Sequence, residues 1–404
     1  MPQRQKPAPS ATRSKSARTL EAYAAAAPGL EPVVAAELEA LGLTPRAENG
    51  GGGVAFSGPI ESIARANLWL RTASRVIVRV ASFRARAFHE LERLARAIPW
   101  ERFVSGGSAV TFRVTSRKSR LYHTGAIEQR LAEAIEHRLG KVSALEAPQS
   151  DDENDVPGSR AQLFVIRVVD DAFTVSADSS GALLHQRGYR QQVAKAPLRE
   201  TLAAAMLIAS DWSGTTPLID PFCGSGTIPI EAALLARRMA PGLTRSFAFL
   251  SWPEVRSAMW EKLREEAVSD ALPKSPVAIS ASDRDDGAIG AARANAQRAG
   301  VTGDIEFTVR AVSAIEPPHE MTGHVVTNPP YGIRIGEAER LRDLYARLGQ
   351  ILRKKCPGWE LAMMSANSRL EREMRLPLSE RLRTRNGGIE VRLLTTHLPP
   401  VVER

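Results

Sequence analysis

Cysteine is nearly absent from this sequence of 404 residues, which contains only two. So few cysteines exclude a disulfide-stabilised scaffold and a metal site built from paired cysteines. The seven histidines are scattered without the spacing of metal ligands, so no metal is expected. No apolar run approaches the roughly 18 residues of a membrane-spanning helix, and no secretory signal is visible. These absences favour a cytoplasmic protein without a membrane partner.

Lysine is also scarce, since arginine accounts for 45 of the 54 basic residues. The formal net charge is +9, and residues 1–18 contribute five positive charges and no acid. We predict that residues 1–19 form a disordered basic arm. The remaining residues carry 49 basic and 45 acidic side chains, a mild excess that permits a nucleic-acid partner without requiring one. The abundance of arginine fits codon bias and phosphate or base binding equally well.

The hydrophobic pattern divides the rest of the chain into three parts. Short β-like and helical segments alternate over residues 20–82, and Pro59 opens a helix that is expected to run to about Ser74. A second α+β unit is predicted over residues 83–180. Within it, Leu163–Val169 and Ala172–Ala177 are expected to form a hairpin-like pair of strands.

Residues 181–404 have longer helices and fully apolar strands. The predicted strands are Pro217–Asp220, Val277–Ser282, Ile305–Val309, Val325–Asn328 and Leu361–Met364. Short apolar strands that alternate with helices are typical of a parallel, doubly wound sheet. The predicted fold class is therefore α/β, with a Rossmann-like domain preceded by two smaller α+β units.

The first motif that indicates chemistry is Asp220-Pro-Phe-Cys-Gly-Ser-Gly-Thr227, between an apolar strand and a predicted helix. Gly224 and Gly226 permit a tight turn and close approach of the backbone to a ligand. The helix N-terminus favours negative charge, whereas Asp220 favours an ammonium group. The amino-acid moiety of S-adenosylmethionine satisfies both. A plain strand-turn-helix is as consistent with this motif taken alone.

Two acids follow the second predicted strand of this part, where an acid can bind ribose hydroxyls. They are Asp283 and Asp285. Their distance from the glycine loop exceeds the usual ~20 residues, which we attribute to a helical insertion at about Pro241–Pro273. The structural alternatives are a helix N-cap for Asp283 and a solvated first-turn acid for Asp285.

The strongest motif is Asn328-Pro-Pro-Tyr331, at the end of a predicted strand. Its prolines restrict the backbone, and the Asn328 side-chain oxygen and a proline carbonyl can accept hydrogen bonds from one planar amino group. Tyr331 offers an aromatic face to a base withdrawn from its stack. The amine nitrogen would be aimed at a methyl donor by positioning and electrostatics. The alternative is a Pro-Pro turn with a capping asparagine.

With these residues in view, the chain resembles the class I S-adenosylmethionine-dependent RNA methyltransferases that carry a THUMP domain, in particular the bacterial 23S ribosomal RNA guanine-N2 methyltransferases. The resemblance extends from about Leu20 to the C-terminus. Besides the motifs above, it rests on Ala27-Pro-Gly-Leu-Glu31, Leu121-Tyr-His-Thr-Gly125, Arg187-Gly-Tyr-Arg190, Ala196-Pro-Leu-Arg-Glu-Thr-Leu-Ala-Ala204 and Asn386-Gly387. The Asn-Pro-Pro-Tyr motif alone is shared with DNA adenine methyltransferases.

The resemblance implies a ferredoxin-like unit over residues 20–82, a THUMP RNA-binding domain over residues 83–180 and a methyltransferase domain over residues 181–404. The implied cofactor-binding residues are Thr201, Asp220, Pro221, Gly224, Gly226, Asp283, Asp285 and Asn328. The implied catalytic residues, which hold the target amine and stack on its base, are Asn328, Pro329, Pro330 and Tyr331. The residues that would face RNA are Arg117, Lys118, Arg120, Tyr122 and His123. A solvated basic loop, with Tyr122 in the core, is the simpler interpretation of that last group.

One departure from the resemblance concerns the cofactor's adenine. Ala311 stands where relatives often have an aspartate that accepts from the adenine amino group, and Ser313 or backbone groups could replace it. Larger relatives can carry a second methyltransferase at the C-terminus, and none is expected here because the sequence stops at Arg404.

The function that the resemblance implies is methylation of a guanosine N2 amine in 23S ribosomal RNA. The alternatives are the same reaction on transfer RNA, methylation of DNA adenine, and a catalytically silent RNA-binding or ribosome-assembly factor.

Overall fold

The computed structural model describes residues 18–48, 51–141, 143–145, 161–191, 198–318, 321–332 and 337–399. Residues 1–17, almost all of the predicted basic arm, lie outside these ranges. The described residues form two β-sheets with helices packed against them. None of the helices in these ranges is both long enough and apolar enough to cross a membrane.

The first sheet is built from the N-terminal part of the chain. Its elements are β1 (Leu20–Ala25), α1 (Glu31–Ala40), β2 (Arg46–Ala47), β3 (Gly53–Gly58), α2 (Ile60–Trp69), β4 (Arg75–Arg84), α3 (Phe88–Arg96), β5 (Ala109–Arg117), α4 (Thr124–Leu139), β6 (Ser143–Leu145), β7 (Gln162–Val169) and β8 (Ala172–Asp178). The strand order is β2-β3-β1-β4-β8-β7-β5-β6. Strands β7 and β8 pair antiparallel, which confirms the predicted hairpin.

The strand β4 joins the two predicted N-terminal units into one sheet. It pairs antiparallel with β1 on one side and with β8 on the other. The boundary expected between residues 82 and 83 falls inside this strand. A single ten-residue strand therefore serves both units.

The second sheet is built from the C-terminal part of the chain. Its elements are α5 (Glu200–Ala209), β9 (Leu218–Asp220), α6 (Thr227–Ala236), α7 (Ser257–Ser269), β10 (Ile279–Asp283), α8 (Asp286–Arg298), β11 (Ile305–Val309), β12 (His324–Thr327), α9 (Glu337–Lys355), β13 (Glu360–Ser365), α10 (Ser368–Glu373), β14 (Ser379–Asn386) and β15 (Ile389–His397). The strand order is β11-β10-β9-β12-β13-β15-β14.

The first five strands of this order are parallel, as the sequence predicts for a Rossmann-like domain. Strands β14 and β15 add an antiparallel hairpin at one edge, which the sequence analysis missed. The residues of β14 are almost all polar or charged. Charged side chains protect an edge strand from pairing with other chains, and they also hide it from a search for apolar runs.

The helix α2 ends at Trp69, so the predicted extension to Ser74 is wrong. The backbone N–H groups of Arg71 and Thr72 donate to the Glu37 carboxylate at 2.7 and 3.0 Å. Burial raises the pKa of Glu37. A buried carboxylate needs hydrogen-bond donors, and residues beyond Trp69 supply them by leaving the helix.

The insertion expected at about Pro241–Pro273 is only partly helical. It contains a 3-10 turn over Ala248–Ser251 and the helix α7. Between them, Trp252 packs edge-on against Phe103, with ring centroids 5.0 Å apart. The Trp252 indole also donates to the Gln162 side chain at 2.7 Å. This segment therefore anchors the second sheet to the first.

A buried ion pair fixes the connection between the two sheets. Arg187 donates from Nε to Glu231 in α6 at 2.8 Å, and the Tyr189 hydroxyl donates to the same oxygen at 2.9 Å. Arg187 also donates from Nη2 to the Arg71 carbonyl at 2.7 Å. Removal of one partner of a buried pair typically costs about 3–5 kcal/mol. The Arg187–Arg190 segment therefore holds the two sheets together.

Gly29 forms a second contact between the two halves of the chain. Its φ is +85°, and a Cβ there would overlap the carbonyl oxygen of Arg383 in β14. The N-terminal loop and the C-terminal hairpin can meet this closely only because residue 29 has no side chain.

We predict that Gly29→Ala destabilises the protein more than Gly42→Ala does. Both glycines have a positive φ, but a Cβ at Gly42 would meet nothing within 4 Å. Each variant should lose about 1–2 kcal/mol through the left-handed backbone. Gly29→Ala should lose a further ~1–3 kcal/mol through overpacking. Urea unfolding of the two variants measures the difference. Equal midpoints would show that the contact with Arg383 is not tight.

Candidate functional site

The strand order of the second sheet reverses between β9 and β12. Ligands of open parallel sheets bind outside the carboxyl ends of the strands at such a point. Asp220 is the last residue of β9, and Asn328 directly follows β12. The two strands pair directly, with Ile219 opposite Val325. The structure therefore brings the first and third motifs side by side.

Asp220 is fully buried, and only one of its carboxylate oxygens is satisfied. Oδ1 accepts from the Thr327 hydroxyl at 2.7 Å and from the Phe222 N–H at 3.1 Å. Oδ2 has no hydrogen-bond partner among the described residues. Burial raises the pKa of Asp220 to about 7. A buried acceptor without a donor is costly, so this oxygen is suited to a cationic ligand.

The two motif glycines occupy their positions for different structural reasons. Both have a positive φ, 51° at Gly224 and 86° at Gly226. A Cβ at Gly226 would lie 3.0 Å from the Ala292 Cβ in α8, whereas one at Gly224 would meet nothing within 4 Å. A side chain at Gly226 would therefore crowd α8 and strain the backbone. Gly224 borders open space, where the loop backbone is accessible to a ligand. Pro221 is buried at the start of the loop.

The second predicted pair of acids is divided between two tasks. Asp283 accepts from the Gly224 N–H at 3.0 Å and from the Asp285 N–H at 3.1 Å. Asp285 is the N-cap of α8 and accepts from the Ala288 N–H at 3.2 Å. The N-cap that we considered for Asp283 is thus Asp285. Asp283 contacts the glycine loop directly and lies at the carboxyl end of β10.

The Asn328–Tyr331 motif forms a short polar shelf beside Asp220. Asn328 is half-buried, Pro329 is buried and Pro330 is exposed. The Tyr331 hydroxyl donates to Asn328 Oδ1 at 2.5 Å. Burial raises the pKa of Tyr331 to about 12, so the phenol keeps its proton at neutral pH and cannot act as a base.

Three residues that sequence reasoning gave no role support this shelf. The Tyr345 hydroxyl donates to the Pro330 carbonyl at 3.0 Å, and the Asn367 side chain donates to the Tyr331 carbonyl at 3.4 Å. Asn386, in the turn region of the C-terminal hairpin, bonds the Tyr331 hydroxyl. Only Asn386 left a signal in the sequence, as part of the Asn386-Gly387 resemblance.

Two other predicted positions are less directly connected to the site. Thr201 is buried in the first turn of α5, and no hydrogen bond within the described ranges links it to Asp220 or Asn328. Ala311 is exposed and precedes a 3-10 turn that contains the half-buried Ser313. The backbone before it is fixed because Arg310 N–H donates to the Asp283 carbonyl at 2.9 Å.

The predicted RNA-facing residues lie at the carboxyl end of β5, in the first sheet. They are not part of the candidate site between β9 and β12. The exposed residues at the end of β5 are Arg117, Lys118, Arg120, Tyr122 and His123. The core position considered for Tyr122 is wrong, because this side chain is 65% exposed. Among the described residues, no group of three or more His, Cys, Asp or Glu side chains could hold a metal ion.

The residues at the switch point fit the expected cofactor, S-adenosylmethionine. The unpartnered oxygen of Asp220 would accept from the ligand's ammonium group. The open space at Gly224 would take its methionine end, and Asp283 would accept from its ribose hydroxyls.

Comparison with known proteins identifies the family of the chain. Residues 187–395 match the family described as "RMKL-like, methyltransferase domain", and residues 21–77 match "RlmL ferredoxin-like domain". The ribosomal RNA large subunit methyltransferase K/L of Syntrophotalea carbinolica is 37% identical over 383 residues, which cover 92% of this chain and 53% of that protein. The chain therefore spans about half the length of this relative.

Two further proteins are similar over nearly their whole length. The putative RNA methyltransferase YpsC of Bacillus subtilis is 36% identical over 90% of this chain and 92% of its own. The crystal structure of SMU.472, a putative methyltransferase complexed with S-adenosylhomocysteine, superposes with a TM-score of 0.82 at 31% identity. It covers 95% of this chain and 99% of that one. The chain belongs to the RMKL-like methyltransferase family, and its cofactor is S-adenosylmethionine.

Proposed function

We propose that this protein transfers a methyl group from S-adenosylmethionine to the exocyclic N2 amine of a guanosine in 23S ribosomal RNA. The observation that carries the proposal is the position of the Asn328–Tyr331 shelf. The hydrogen bond between Thr327 and Asp220 joins the strand end before this shelf to the strand end that precedes the glycine loop. An amine held at Asn328 would therefore lie next to a cofactor held at Asp220.

The names of the relatives support RNA as the substrate class. The relative from Syntrophotalea carbinolica is named as a ribosomal RNA large subunit methyltransferase, and the one from Bacillus subtilis as a putative RNA methyltransferase. Residues 83–180 are proposed to be a THUMP domain that docks the RNA. Arg117, Lys118, Arg120 and His123 would contact it from the end of β5.

On the cofactor side, the proposed ligands are Thr201, Asp220, Pro221, Gly224, Gly226, Asp283, Asp285 and Asn328. Bound S-adenosylmethionine supplies an electrophilic methyl group on a sulfonium. Asp220 would pair with the ammonium group, and the loop at Gly224 would approach the methionine end. Asp283 would accept from the ribose while it still holds the Gly224 N–H.

On the base side, Asn328 Oδ1 and the Pro329 carbonyl would accept the two hydrogens of the guanine amine. Oδ1 already accepts from the Tyr331 hydroxyl, and its second lone pair is left for the amine. The Tyr331 ring would stack on the base, and Pro330 would fix the turn between them. The amine nitrogen would take the methyl group that the sulfonium supplies, the sulfur would remain as a thioether, and the surplus amine proton would leave to water. The residues act by positioning and hydrogen bonding.

The substrate can be identified with isotopically labelled S-adenosylmethionine. Unmodified 23S RNA, 16S RNA, transfer RNA and DNA are offered separately, and the labelled nucleoside is identified by mass spectrometry. We expect N2-methylguanosine from 23S RNA alone. The same nucleoside in transfer RNA would support the proposed reaction but contradict 23S RNA as its substrate. N6-methyladenosine, or no transfer to any RNA despite cofactor binding, would contradict the proposed reaction.

We predict that cofactor affinity increases with pH between about 6 and about 7.5. Burial raises the pKa of Asp220 to about 7, so the carboxyl is mostly protonated at the lower pH and cannot pair with an ammonium. The ionised fraction of Asp220 should rise roughly eightfold over this interval. The affinity should rise about five- to sixfold, because an α-amino group loses about a third of its charge by pH 7.5.

Calorimetric titration of S-adenosylmethionine at several pH values measures this dependence. Asp220→Asn is the matched variant, because it keeps the shape of the side chain and cannot ionise. It should bind more weakly and show no such slope. A wild-type affinity that does not change with pH would remove Asp220 from the ammonium site.

We predict that Asn328→Ala lowers the rate of methyl transfer at saturating cofactor by about 10²–10³-fold, as is typical when one positioned hydrogen-bonding group is lost. The affinity for S-adenosylmethionine should change less than about threefold. Tyr331→Phe is the companion variant, since it keeps the ring and removes only the hydroxyl bonded to Asn328. It should retain most of the activity. A large loss of cofactor affinity in Asn328→Ala would show that the main role of the residue is to bind the cofactor and not the target amine.

A further inference from the structure

The loop of residues 117–123 presents an aromatic pair to solvent. Tyr122 is 65% exposed, although Leu121 before it is buried. The rings of Tyr122 and His123 lie 4.1 Å apart between centroids, tilted by 38°. Among the exposed large hydrophobic side chains in the described ranges, Tyr122 is the only aromatic one. Exposed aromatic side chains of this kind are frequent where a partner binds.

The backbone on either side of this pair is held in place. The Asp171 carboxylate accepts from the Arg120 N–H at 2.8 Å, and the Asp171 N–H donates to the Ser119 hydroxyl at 3.0 Å. The Ser116 hydroxyl donates to the Leu121 carbonyl at 2.8 Å. The turn between β7 and β8 therefore fixes the loop, and α4 begins directly after His123. A site fixed in this way loses little entropy on binding.

The surroundings of the pair are cationic. The exposed side chains of Arg117 and Lys118 have no carboxylate partner within the described residues. Arg86 lies at the same end of the sheet and donates to Asp171 at 3.1 Å. Asp170, in the β7–β8 turn, is exposed, whereas Asp171 is half-buried. The partner should therefore combine negative charge with flat rings.

We propose that Tyr122 and His123 stack on an unpaired base of the substrate RNA, while Arg117 and Lys118 bind the phosphates beside it. This inference rests on the proposed function in one respect, that the substrate is RNA. A base inside a duplex has both faces covered by its neighbours, so an exposed ring favours a single-stranded segment. An apolar protein segment fits less well, because the residues around Tyr122 are charged and not apolar.

The test uses the full-length protein without cofactor and two fluorescein-labelled RNAs of about 12 nucleotides, one unstructured and one fully paired. Fluorescence anisotropy over a series of salt concentrations gives the affinity and its salt dependence. The variants are Tyr122→Ala, Tyr122→Phe and Lys118→Ala. Val268→Ala is the control, since Val268 is 60% exposed on α7. Melting temperatures check that each variant folds.

For the unstructured RNA, Tyr122→Ala should weaken binding about tenfold, within the range expected for one stacked base. Tyr122→Phe and Val268→Ala should bind within about twofold of wild type, because stacking requires the ring and not the hydroxyl. Lys118→Ala should lower the salt slope by about one, whereas Tyr122→Ala should leave it unchanged. The paired RNA should not distinguish Tyr122→Ala from wild type.

Unchanged binding of the unstructured RNA by Tyr122→Ala would overturn the inference, and so would an equal loss on both RNAs. An equal loss in Tyr122→Phe would replace stacking by a hydroxyl contact. Failure of the wild-type protein to bind either RNA would contradict RNA as the partner of this surface. The proposed function fails separately. If no RNA is methylated but RNA binding still depends on Tyr122, the proposed methyl transfer is contradicted and the inferred RNA-binding site is supported.

Discussion

The hydrogen bond from Thr327 to Asp220 is the contact on which the site depends. It joins the ends of two neighbouring parallel strands, and a different motif follows each of them: the glycine loop after β9 and the Asn328–Tyr331 shelf after β12. Because the Thr327 hydroxyl and the Phe222 N–H both donate to one carboxylate oxygen of this buried group, the other oxygen is left for a cation. In the proposed reaction the sheet would thereby set the distance between cofactor and acceptor, which is the main requirement for transfer by positioning.

A second constraint keeps the two sheets in a fixed relation. Arg187 and Tyr189 both donate to Glu231, and Arg187 also reaches the carbonyl of Arg71. Trp252 and Gly29 add contacts between the sheets at other points. If the first sheet binds RNA through the loop of residues 117–123, these contacts fix the position of the bound RNA relative to Asn328. A large RNA would then be held at two places by a rigid protein, which lowers the entropic cost of orienting its target base.

The sequence predicts those parts of the fold that depend on local patterns. Apolar strands separated by helices indicated the parallel sheet, and the structure places the motifs at the ends of β9 and β12 side by side. The hairpin β14–β15 was missed because β14 is almost entirely polar, and with it the contact of Asn386 with Tyr331. The end of α2 was misplaced because its cause, the buried Glu37, lies in another helix. The role of Arg187 could not be predicted from local patterns, because its partner Glu231 is 44 residues away in the sequence.

A crystal structure of the protein with S-adenosylmethionine would test the role of Asp220 through the distance from the ligand's amino nitrogen to Asp220 Oδ2. We expect a hydrogen bond of about 3 Å, with the ribose hydroxyls at Asp283 and the methyl group directed towards Asn328. A cofactor whose amino group lies elsewhere, with Asp220 Oδ2 still without a partner, would contradict it.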